Sequence, residues 1–352
     1  MPDGEFWRDR RVLVTGHTGF KGAWLSLWLQ MLGAEVIGFA GPPPSAPSLY
    51  RLARVHDGVE SVEGDVRNVD AVGHVIERTR PEIVFHLAAQ SLVRRSLADP
   101  VGTYATNVMG TANLLEAVRV LGDVRAVVVV TSDKCYANDG RDHGYREDDP
   151  LGGRDPYSSS KASQELLTAA YRDSLLVELG VAVATARAGN VIGGGDWAQD
   201  RLVPDLMRAA FAGTPLVVRN PDAVRPWQHV LNPLSGYLRL AERLCGGEAG
   251  YDTAWNFGPA DEDARPVSWV VERLRERWPD PLELRTAAAS DDREAAALRV
   301  DSSRARQRLG WTPTWDLAAG IDATVEWYAG HRRRSDARAM TLEQIERFML
   351  RR

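Results

Sequence analysis

The stretch that decides the fold is RVLVTGHTGFKG, residues 11–22, where a short apolar run leads directly into three glycines. Its first five residues are rich in β-branched side chains, which predicts a buried strand. Gly16, Gly19 and Gly22 follow the strand, and apolar residues at helical spacing follow the glycines. Glycine lets a backbone approach a pyrophosphate closely, and a helix N-terminus favours its negative charge. This order predicts a dinucleotide site, although the same glycines could serve only as a tight turn.

Strands and helices alternate from this stretch to about residue 188. We predict strands at 35–39, 59–62, 82–86, 126–130 and 182–187, and helices at 69–80, 101–121 and 157–179. Such alternation implies a parallel sheet covered on both faces, and right-handed crossovers make it doubly wound. The predicted fold is therefore α/β: a Rossmann-type doubly wound parallel sheet with a smaller C-terminal mixed α/β substrate lobe.

The expected domains follow from a change of texture after Gly189, where glycines and prolines divide the chain into shorter elements. We expect a dinucleotide-binding Rossmann domain over 1–188, with a return segment near 226–255. A substrate-binding lobe is expected mainly over 189–330, and a tail helix over 331–352.

The composition excludes several classes of protein. The chain has 352 residues, 44% of them hydrophobic, and a formal net charge of -5. It has no long basic stretch and no apolar run long enough for a bilayer, so neither nucleic acid nor a membrane is an expected partner. Two cysteines, Cys135 and Cys245, exclude a disulfide framework; without a signal-peptide pattern, they predict a cytoplasmic protein. No metal site is expected.

Only three of the 43 basic residues are lysines, and the other forty (43 minus three) are arginines. Arginine therefore serves wherever a surface cation suffices, whereas lysine is a compact donor whose pKa can shift. The three are Lys21, Lys134 and Lys161, and each lies in a motif described here. Their positions favour function over chance survival in an arginine-rich composition.

Tyr157 and Lys161, in YSSSK, are four residues apart on a predicted helix and therefore share one face. Free tyrosine has a pKa of about 10, and a neighbouring ammonium and an oxidised nicotinamide both lower that pKa. Ser132, just past a predicted strand, fits a hydroxyl that hydrogen-bonds a reacting alcohol beside the tyrosine. Asp133 and Lys134 follow it and offer an acid and a base. Taken singly, these features could also be a solvated helix face and a polar turn.

The motifs together resemble the extended short-chain dehydrogenases/reductases, and among them the sugar-nucleotide dehydratases. The similar stretches are GHTGFKG (16–22), HLAAQSLVRRS (86–96), NVMGT (107–111), TSDKCY (131–136), DPYSSSK (155–161), RAGNVIGGGDWAQDRLVPD (187–205), RPWQHV (225–230), WNFGP (255–259) and LGW (309–311). They cover nearly the whole chain. The glycine loop and the Tyr-Lys pair are shared by many relatives, whereas the Asp-Lys pair and GGGDWAQDR are specific to the dehydratase branch.

The resemblance implies a lyase that uses NAD to dehydrate a nucleotide-activated hexose, with conversion of CDP-glucose to CDP-4-keto-6-deoxyglucose as the expected reaction. C4 is oxidised first, water is eliminated across C5 and C6, and hydride returns to C6. Tyr157 would take the C4 hydroxyl proton, Lys134 or a base that it assists would take the C5 proton, and Asp133 would protonate the leaving hydroxyl. The alternatives are a 4-epimerase, a dehydratase acting on dTDP- or UDP-glucose, and a non-catalytic nicotinamide sensor. A homodimer or higher homo-oligomer is also implied.

The expected site residues fall into three groups. The catalytic group is Ser132, Asp133, Lys134, Tyr157 and Lys161. The cofactor-binding group is Gly16, Thr18, Gly19, Phe20, Lys21, Gly22, Asp65, Val66, Leu87, Ala88, Ala89, Tyr157 and Lys161. The substrate-binding group is Gln90, Asn190, Arg201, Arg219, Arg225 and His229. Arginine forks suit phosphate oxygens, but each arginine could be a surface residue, and His86 and His229 could be core histidines.

Two segments depart from the family pattern. Dinucleotide sites usually carry an acidic residue about 20 residues past the glycine loop, for the ribose hydroxyl, but residues 39–42 are FAGP. NAD is still the expected cofactor because the cycle returns its own hydride. The DRE sequence at 292–294 stands where the resemblance implies a histidine.

Overall fold

The structure is a computed structural model that describes residues 1–121, 123–141, 143–286 and 298–351. The strands in this part of the chain are β1 (Arg11–Thr15), β2 (Glu35–Ala40), β3 (Val59–Glu63), β4 (Ile83–His86), β5 (Ala126–Val130), β6 (Ala182–Ala188), β7 (Val191–Ile192), β8 (Leu216–Val218), β9 (Val224–Pro226), β10 (Gln228–His229), β11 (Ala254–Phe257), β12 (Ala264–Pro266) and β13 (Leu284–Thr286).

The main sheet has seven strands in the order β11-β6-β5-β4-β1-β2-β3, and all of its pairings are parallel. The chain reverses direction across the sheet next to β1, which is the topological switch point where open α/β sheets bind ligands. The predicted Rossmann-type doubly wound sheet is confirmed.

The helices of the described residues are α1 (Gly4–Trp7), α2 (Phe20–Met31), α3 (Leu49–Leu52), α4 (Val69–Thr79), α5 (Val93–Ala98), α6 (Pro100–Tyr104), α7 (Gly110–Leu121), α8 (Pro156–Tyr171), α9 (Leu202–Ala212), α10 (Leu231–Cys245), α11 (Val267–Arg277), α12 (Ser303–Arg308), α13 (Leu317–Arg332) and α14 (Ala337–Leu350). A π-helical segment, Ala105–Met109, joins α6 to α7. Together they form the helix predicted over 101–121. A second π-helical segment, Arg172–Leu176, and a 3₁₀ turn, Val177–Leu179, extend α8 to the predicted end at 179.

Apolar residues on both faces explain why the central strands are continuous hydrophobic runs. In β5, Ala126, Val128 and Val130 pack into the cluster on one face of the sheet, and Val127 and Val129 pack into the cluster on the other. A parallel sheet covered by helices on both sides requires this composition. The burial leaves the carboxyl ends of the strands as the place where polar side chains collect.

In the part of the smaller lobe that the structure describes, β7 pairs with β10, β8 with β13, and β9 with β12, the last pair being antiparallel. Between its elements the chain returns to the main sheet, where β11 pairs with β6 and α10 packs against β5 and β6. This return overlaps the segment expected near 226–255. The domain boundaries at 188 and 330 stay a prediction.

The tail helix, α14, packs on the first helix of the Rossmann fold. The rings of Trp28 in α2 and Phe348 in α14 meet edge to face at 5.5 Å, and Asp336 caps the N-terminus of α14. The last helix therefore covers the same face of the sheet as α2. Within the described ranges, no helix is both long enough and apolar enough to cross a membrane.

Candidate active site

The glycine loop after β1 lies directly against the loop after β4. A Cβ atom on Gly16, whose φ is +74°, would lie 2.8 Å from the Ala88 nitrogen, and one on Gly22 would lie 2.2 Å from the Gly16 oxygen. Neither position has room for a side chain. Gly19 is the N-cap of α2 and leaves the first backbone N–H groups of the helix without a side-chain cap. This bare cradle at a helix start fits the pyrophosphate of a dinucleotide.

The remaining predicted cofactor positions outside α8 lie in the segments that follow β1, β3 and β4. Thr18 holds the loop by donating from Oγ1 to the Gly41 oxygen at 3.0 Å. Asp65, at the end of β3, is bound in a bidentate manner by Arg67, whose Nε lies 2.9 Å from Oδ2. Val66 is almost completely buried. The other predicted positions are Phe20, at the start of α2, and Leu87, Ala88 and Ala89, which follow β4.

A histidine stands near the end of β2, where the expected carboxylate is missing. The His17 ring lies over Gly38, so close that a Cβ on that glycine would be 2.3 Å from the ring. Its Nε2 atom is 2.8 Å from Ser61 Oγ, and Tyr50 donates to the same hydroxyl at 3.1 Å. Burial lowers the pKa of His17 to about 4, so the imidazole is neutral. The sequence signal for this residue is its position inside the glycine motif. The motif pattern alone does not single out the histidine, because it specifies only the glycines.

The segment after β5 forms a 3₁₀ turn, Asp133–Cys135, that Ser132 caps by accepting from the Lys134 nitrogen at 3.2 Å. The Ser132 hydroxyl donates to Asp133 Oδ1 at 3.0 Å. Lys134 Nζ lies 3.2 Å from the same Oδ1 and 3.4 Å from Asn190 Oδ1. Asp133 is 1% exposed, and its Oδ2 accepts no hydrogen bond from any residue that the structure describes. The segment therefore presents a buried carboxylate with one free oxygen beside an ammonium.

Tyr157 and Lys161 lie one turn apart near the start of α8, where Asp155 is the N-cap. Burial raises the pKa of Tyr157 to about 12, and the hydrogen bond with Ser132 opposes this rise. The Lys161 ammonium donates to the Val130 oxygen at 3.1 Å and to Gln164 Oε1 at 2.9 Å. Burial, followed by the charge of Lys21, lowers the pKa of Lys161 to about 7. A base role for Tyr157 thus requires further positive charge, which an oxidised nicotinamide bound here would supply.

Lys21 is the third lysine of this site. Its Nζ lies 3.5 Å from the Tyr237 hydroxyl and 5.6 Å from the centre of that ring. Burial lowers the pKa of Lys21 to about 8; the charge of Arg201 acts in the same direction and that of Asp133 in the opposite one. Tyr237 in α10 is fully buried and was not predicted from the sequence, because no motif surrounds it.

Among the predicted substrate residues, Arg201 and Asn190 lie at this site. Arg201 bridges two loops, since Nη1 donates to Asp196 Oδ2 at 3.0 Å and Nη2 donates to Ser91 Oγ at 2.9 Å. Arg219 is half-exposed and lies 3.6 Å from Asp200. Arg225 is nearly buried on β9 and donates to the Val224 oxygen at 2.9 Å.

The comparisons with known proteins identify the family. The model of the GDP-mannose 4,6-dehydratase family matches residues 13–324. The chain belongs to this family.

Two individual relatives and one solved structure show which enzymes of known name this chain is similar to. The CDP-glucose 4,6-dehydratase of Salmonella typhimurium is 46% identical over 354 residues, which cover 99% of each chain. The dTDP-glucose 4,6-dehydratase of Streptomyces griseus is 32% identical and aligns over 91% of this chain and 94% of its own. The dTDP-glucose 4,6-dehydratase of Streptomyces venezuelae, solved with NAD bound, has a TM-score of 0.77 at 25% identity and covers 93% of this chain and 99% of its own. The predicted family is confirmed, and the predicted hydro-lyase class and NAD cofactor agree with these relatives.

Two polar residues of this 4,6-dehydratase chain, Gln90 and His86, have local or core partners. The Gln90 amide donates to the Leu92 oxygen and to Thr103 Oγ1, both at 3.0 Å, so that it shapes its own loop. His86 is buried between Thr15 Oγ1 at 2.8 Å and Thr111 Oγ1 at 3.0 Å. Burial lowers its pKa to about 3, as expected of a neutral core histidine.

His229 also lies in the core, although we predicted that it binds the substrate. It is completely buried, with the Trp24 ring at 5.7 Å and the Trp315 ring at 4.9 Å. Burial lowers its pKa to about 3. This position supports the alternative interpretation, a core histidine.

Two further expectations concern metals and the DRE segment. Within the described ranges, no group of three or more histidine, cysteine or acidic side chains is arranged to hold a metal ion. The DRE segment at 292–294 lies outside the described residues.

Proposed function

We propose that this chain dehydrates CDP-glucose to CDP-4-keto-6-deoxyglucose with NAD as its cofactor. One observation carries the proposal: Asp133 and Lys134 form a partly buried pair, 3.2 Å apart, directly after Ser132. Reversible redox chemistry at C4 needs only a tyrosine, a lysine and a hydroxyl of this kind. The additional acid and base are what elimination of water requires. They favour a dehydratase over a 4-epimerase.

The oxidation half begins at the C4 hydroxyl, whose proton Tyr157 accepts. When bound, NAD would supply the acceptor for the C4 hydride and the donor of the same hydride to C6. Ser132 hydrogen-bonds the reacting oxygen. The Lys161 ammonium stabilises the negative charge of the tyrosinate, because opposite charge nearby favours the ionised form.

The elimination half uses the 3₁₀ turn. A C4 ketone acidifies the C5 hydrogen, which Lys134, or a base that it assists, removes as a proton. The free Oδ2 of Asp133 is the oxygen that can carry the proton to the C6 hydroxyl, which leaves as water when the C6–O bond breaks. A proton returns to C5 when hydride reaches C6. Lys134 can act as the base or as the cation beside the enolate, and both roles need it at this position.

The cytidine assignment is supported by the relative that shares 46% of this sequence and acts, by its name, on CDP-glucose. A competition assay with equal concentrations of CDP-, dTDP- and UDP-glucose tests the assignment. We expect CDP-glucose to be consumed far faster than the other two sugars. A clear preference for dTDP-glucose would refute the cytidine assignment and leave the chemistry intact.

We also propose that the enzyme is a cytoplasmic homodimer that pairs through α6, α7 and α8. Apolar side chains on these helices and their extensions remain exposed, and the most exposed of them are Val101, Val120, Leu166 and Val177. An exposed apolar surface of this kind commonly marks a protein contact. Cys135 and Cys245 are free and buried, which is consistent with a reducing compartment.

A further inference from the structure

Glu165 is a buried acidic residue that the proposed mechanism does not use. It stands one helical turn after Lys161 in α8, so that Tyr157, Lys161 and Glu165 follow one another on a single helix face. Its side chain is 3% exposed. A carboxylate at this depth must be fully hydrogen-bonded to remain ionised, and its partners show what it holds together.

Both carboxylate oxygens are occupied. Thr131 Oγ1 donates to Oε1 in a short hydrogen bond. Oε2 accepts from Thr185 Oγ1 at 2.7 Å and from Arg187 Nη2 at 2.8 Å. Glu165 thereby joins α8 to the end of β5, through Thr131, and to β6, through Thr185 and Arg187.

The first of these bonds fixes the residue immediately before the catalytic segment Ser132–Lys134. Thr131 also donates its backbone N–H to the Ala186 oxygen of β6 at 3.0 Å. Since Ser132 caps the 3₁₀ turn that carries Asp133 and Lys134, a displacement of Thr131 is passed on to all three predicted catalytic side chains.

Arg187 fixes the other end of the segment. Its Nη1 donates to the Tyr136 hydroxyl at 2.9 Å and to the Glu147 oxygen at 2.9 Å, and its guanidinium lies 5.0 Å from the centre of the Tyr136 ring. Tyr136 donates in turn to Asn256 Oδ1 at 2.6 Å. The Glu165–Arg187 pair therefore holds residue 131 directly and residue 136 through the arginine.

Stability alone does not explain a pair of charges at this depth. Desolvation of a buried ion pair costs roughly what the attraction gains, and apolar residues of the same volume stabilise a fold equally well or better. Arg187 is only 3% exposed. Hydrogen bonds to a charged group do, however, fix orientation more sharply than apolar packing does.

We propose that Glu165 is a positioning residue, which holds the segment Ser132–Lys134 in place against Tyr157 and Lys161 on its own helix. The inference rests on the proposed dehydratase function. It assigns Glu165 no contact with substrate or cofactor. Glu165 acts through Thr131 at one end of the segment and through Arg187 and Tyr136 at the other.

Two threonines provide a matched test, because each donates one hydroxyl to the same carboxylate and both are buried. Thr131→Val removes the bond next to the catalytic segment, whereas Thr185→Val removes the bond on β6. Both substitutions keep the volume and leave the Glu165–Arg187 ion pair intact. Thermal unfolding of each variant measures the structural cost separately from the effect on catalysis.

The informative readout is the partition between the two halves of the reaction, measured with CDP-glucose in deuterated buffer. Elimination needs two groups of the segment in position, so we expect Thr131→Val to lower kcat by about 10- to 100-fold, the scale of a small misplacement. Reduced nicotinamide should accumulate, and deuterium at C5 per oxidised sugar should fall. Thr185→Val should keep the wild-type partition.

Equal losses of kcat in the two variants, with unchanged partition, would overturn the positioning role and leave a structural one. Unchanged turnover in both variants would overturn it as well. The wild-type enzyme is assayed first: if it releases no dehydrated product, the proposed function fails, and this inference fails with it for a separate reason. Glu165→Gln, combined with Arg187→Met to avoid an unpaired buried charge, should reproduce the Thr131→Val partition.

Discussion

At the scale of single residues, the three lysines of the chain occupy three different positions in one site. Lys161 lies one helical turn after the predicted redox tyrosine, Lys21 contacts Tyr237, and Lys134 pairs with Asp133. Each has a different environment, and the proposed mechanism assigns Lys161 to the oxidation half and Lys134 to the elimination half.

The two halves of the mechanism can be separated by two substitutions. Tyr157→Phe removes the proton acceptor of the first step and should abolish hydride transfer with everything that follows. Lys134→Ala should still oxidise the sugar but fail to expel water, so that reduced nicotinamide accumulates and is seen by its near-ultraviolet absorbance. Loss of a general acid or base costs about 10²- to 10⁴-fold in rate, which makes the intermediate observable. Normal turnover by Lys134→Ala would reduce this lysine to a polar turn residue.

The buried ammonium of Lys161 predicts a pH dependence of stability. Burial lowers its pKa from 10.5 to about 7, so between these values the unfolded chain holds a proton that the folded protein lacks. The contribution of Lys161 to the free energy of unfolding should therefore rise with pH across that window, and it is lost as pH falls to about 7. Urea unfolding of the cofactor-free wild type and Lys161→Met at several pH values gives the difference. A difference independent of pH would contradict a buried, depressed lysine.

At the scale of elements, the turn between β1 and α2 has no room for an added Cβ at Gly22. In Gly22→Ala, the new methyl would meet the Gly16 carbonyl at 2.2 Å, a backbone contact that cannot move aside. We expect NAD binding, measured by calorimetry, to be lost.

Gly73 in the middle of α4 is the control for this substitution, because an added Cβ there would point into open space, with no atom of another element within 4 Å. Gly73→Ala should raise stability by roughly 0.5–1 kcal/mol, the helix-interior difference between the two residues. If Gly22→Ala bound NAD like the wild type, the cradle would not be the pyrophosphate site.

The helices proposed to pair in a dimer give a second prediction at this scale. Leu166 on α8 is 62% exposed, and Leu166→Glu would place a charge in an apolar contact, where it is left without water or partner. Light scattering at micromolar concentration should give a dimer mass for the wild type and a monomer mass for the variant. Val217→Glu on β8, a similarly exposed position away from these helices, should stay dimeric. A monomeric wild type would refute the dimer.

At the scale of the whole molecule, the sequence predicted those features that depend on neighbours along the chain. The alternation of strands and helices determines the sheet, and the four-residue spacing places Tyr157 and Lys161 on one face. Contacts between segments that are distant in sequence could not be predicted from patterns along the chain. Tyr237 reaches Lys21 from α10, and Glu165 reaches Arg187 across β5 and β6, with no local pattern to mark either. His229 lay in a family motif, but its burial depends on Trp24 and Trp315, which are far apart in sequence.

The central claim is that the enzyme eliminates water from a nucleotide-activated glucose after oxidising C4. The most direct test is mass spectrometry of the product formed from CDP-glucose and NAD in deuterated buffer. We predict a product that has lost one molecule of water and gained one deuterium at C5. A product of unchanged elemental composition, with no deuterium on carbon and an inverted C4 centre, would contradict the claim and identify a 4-epimerase.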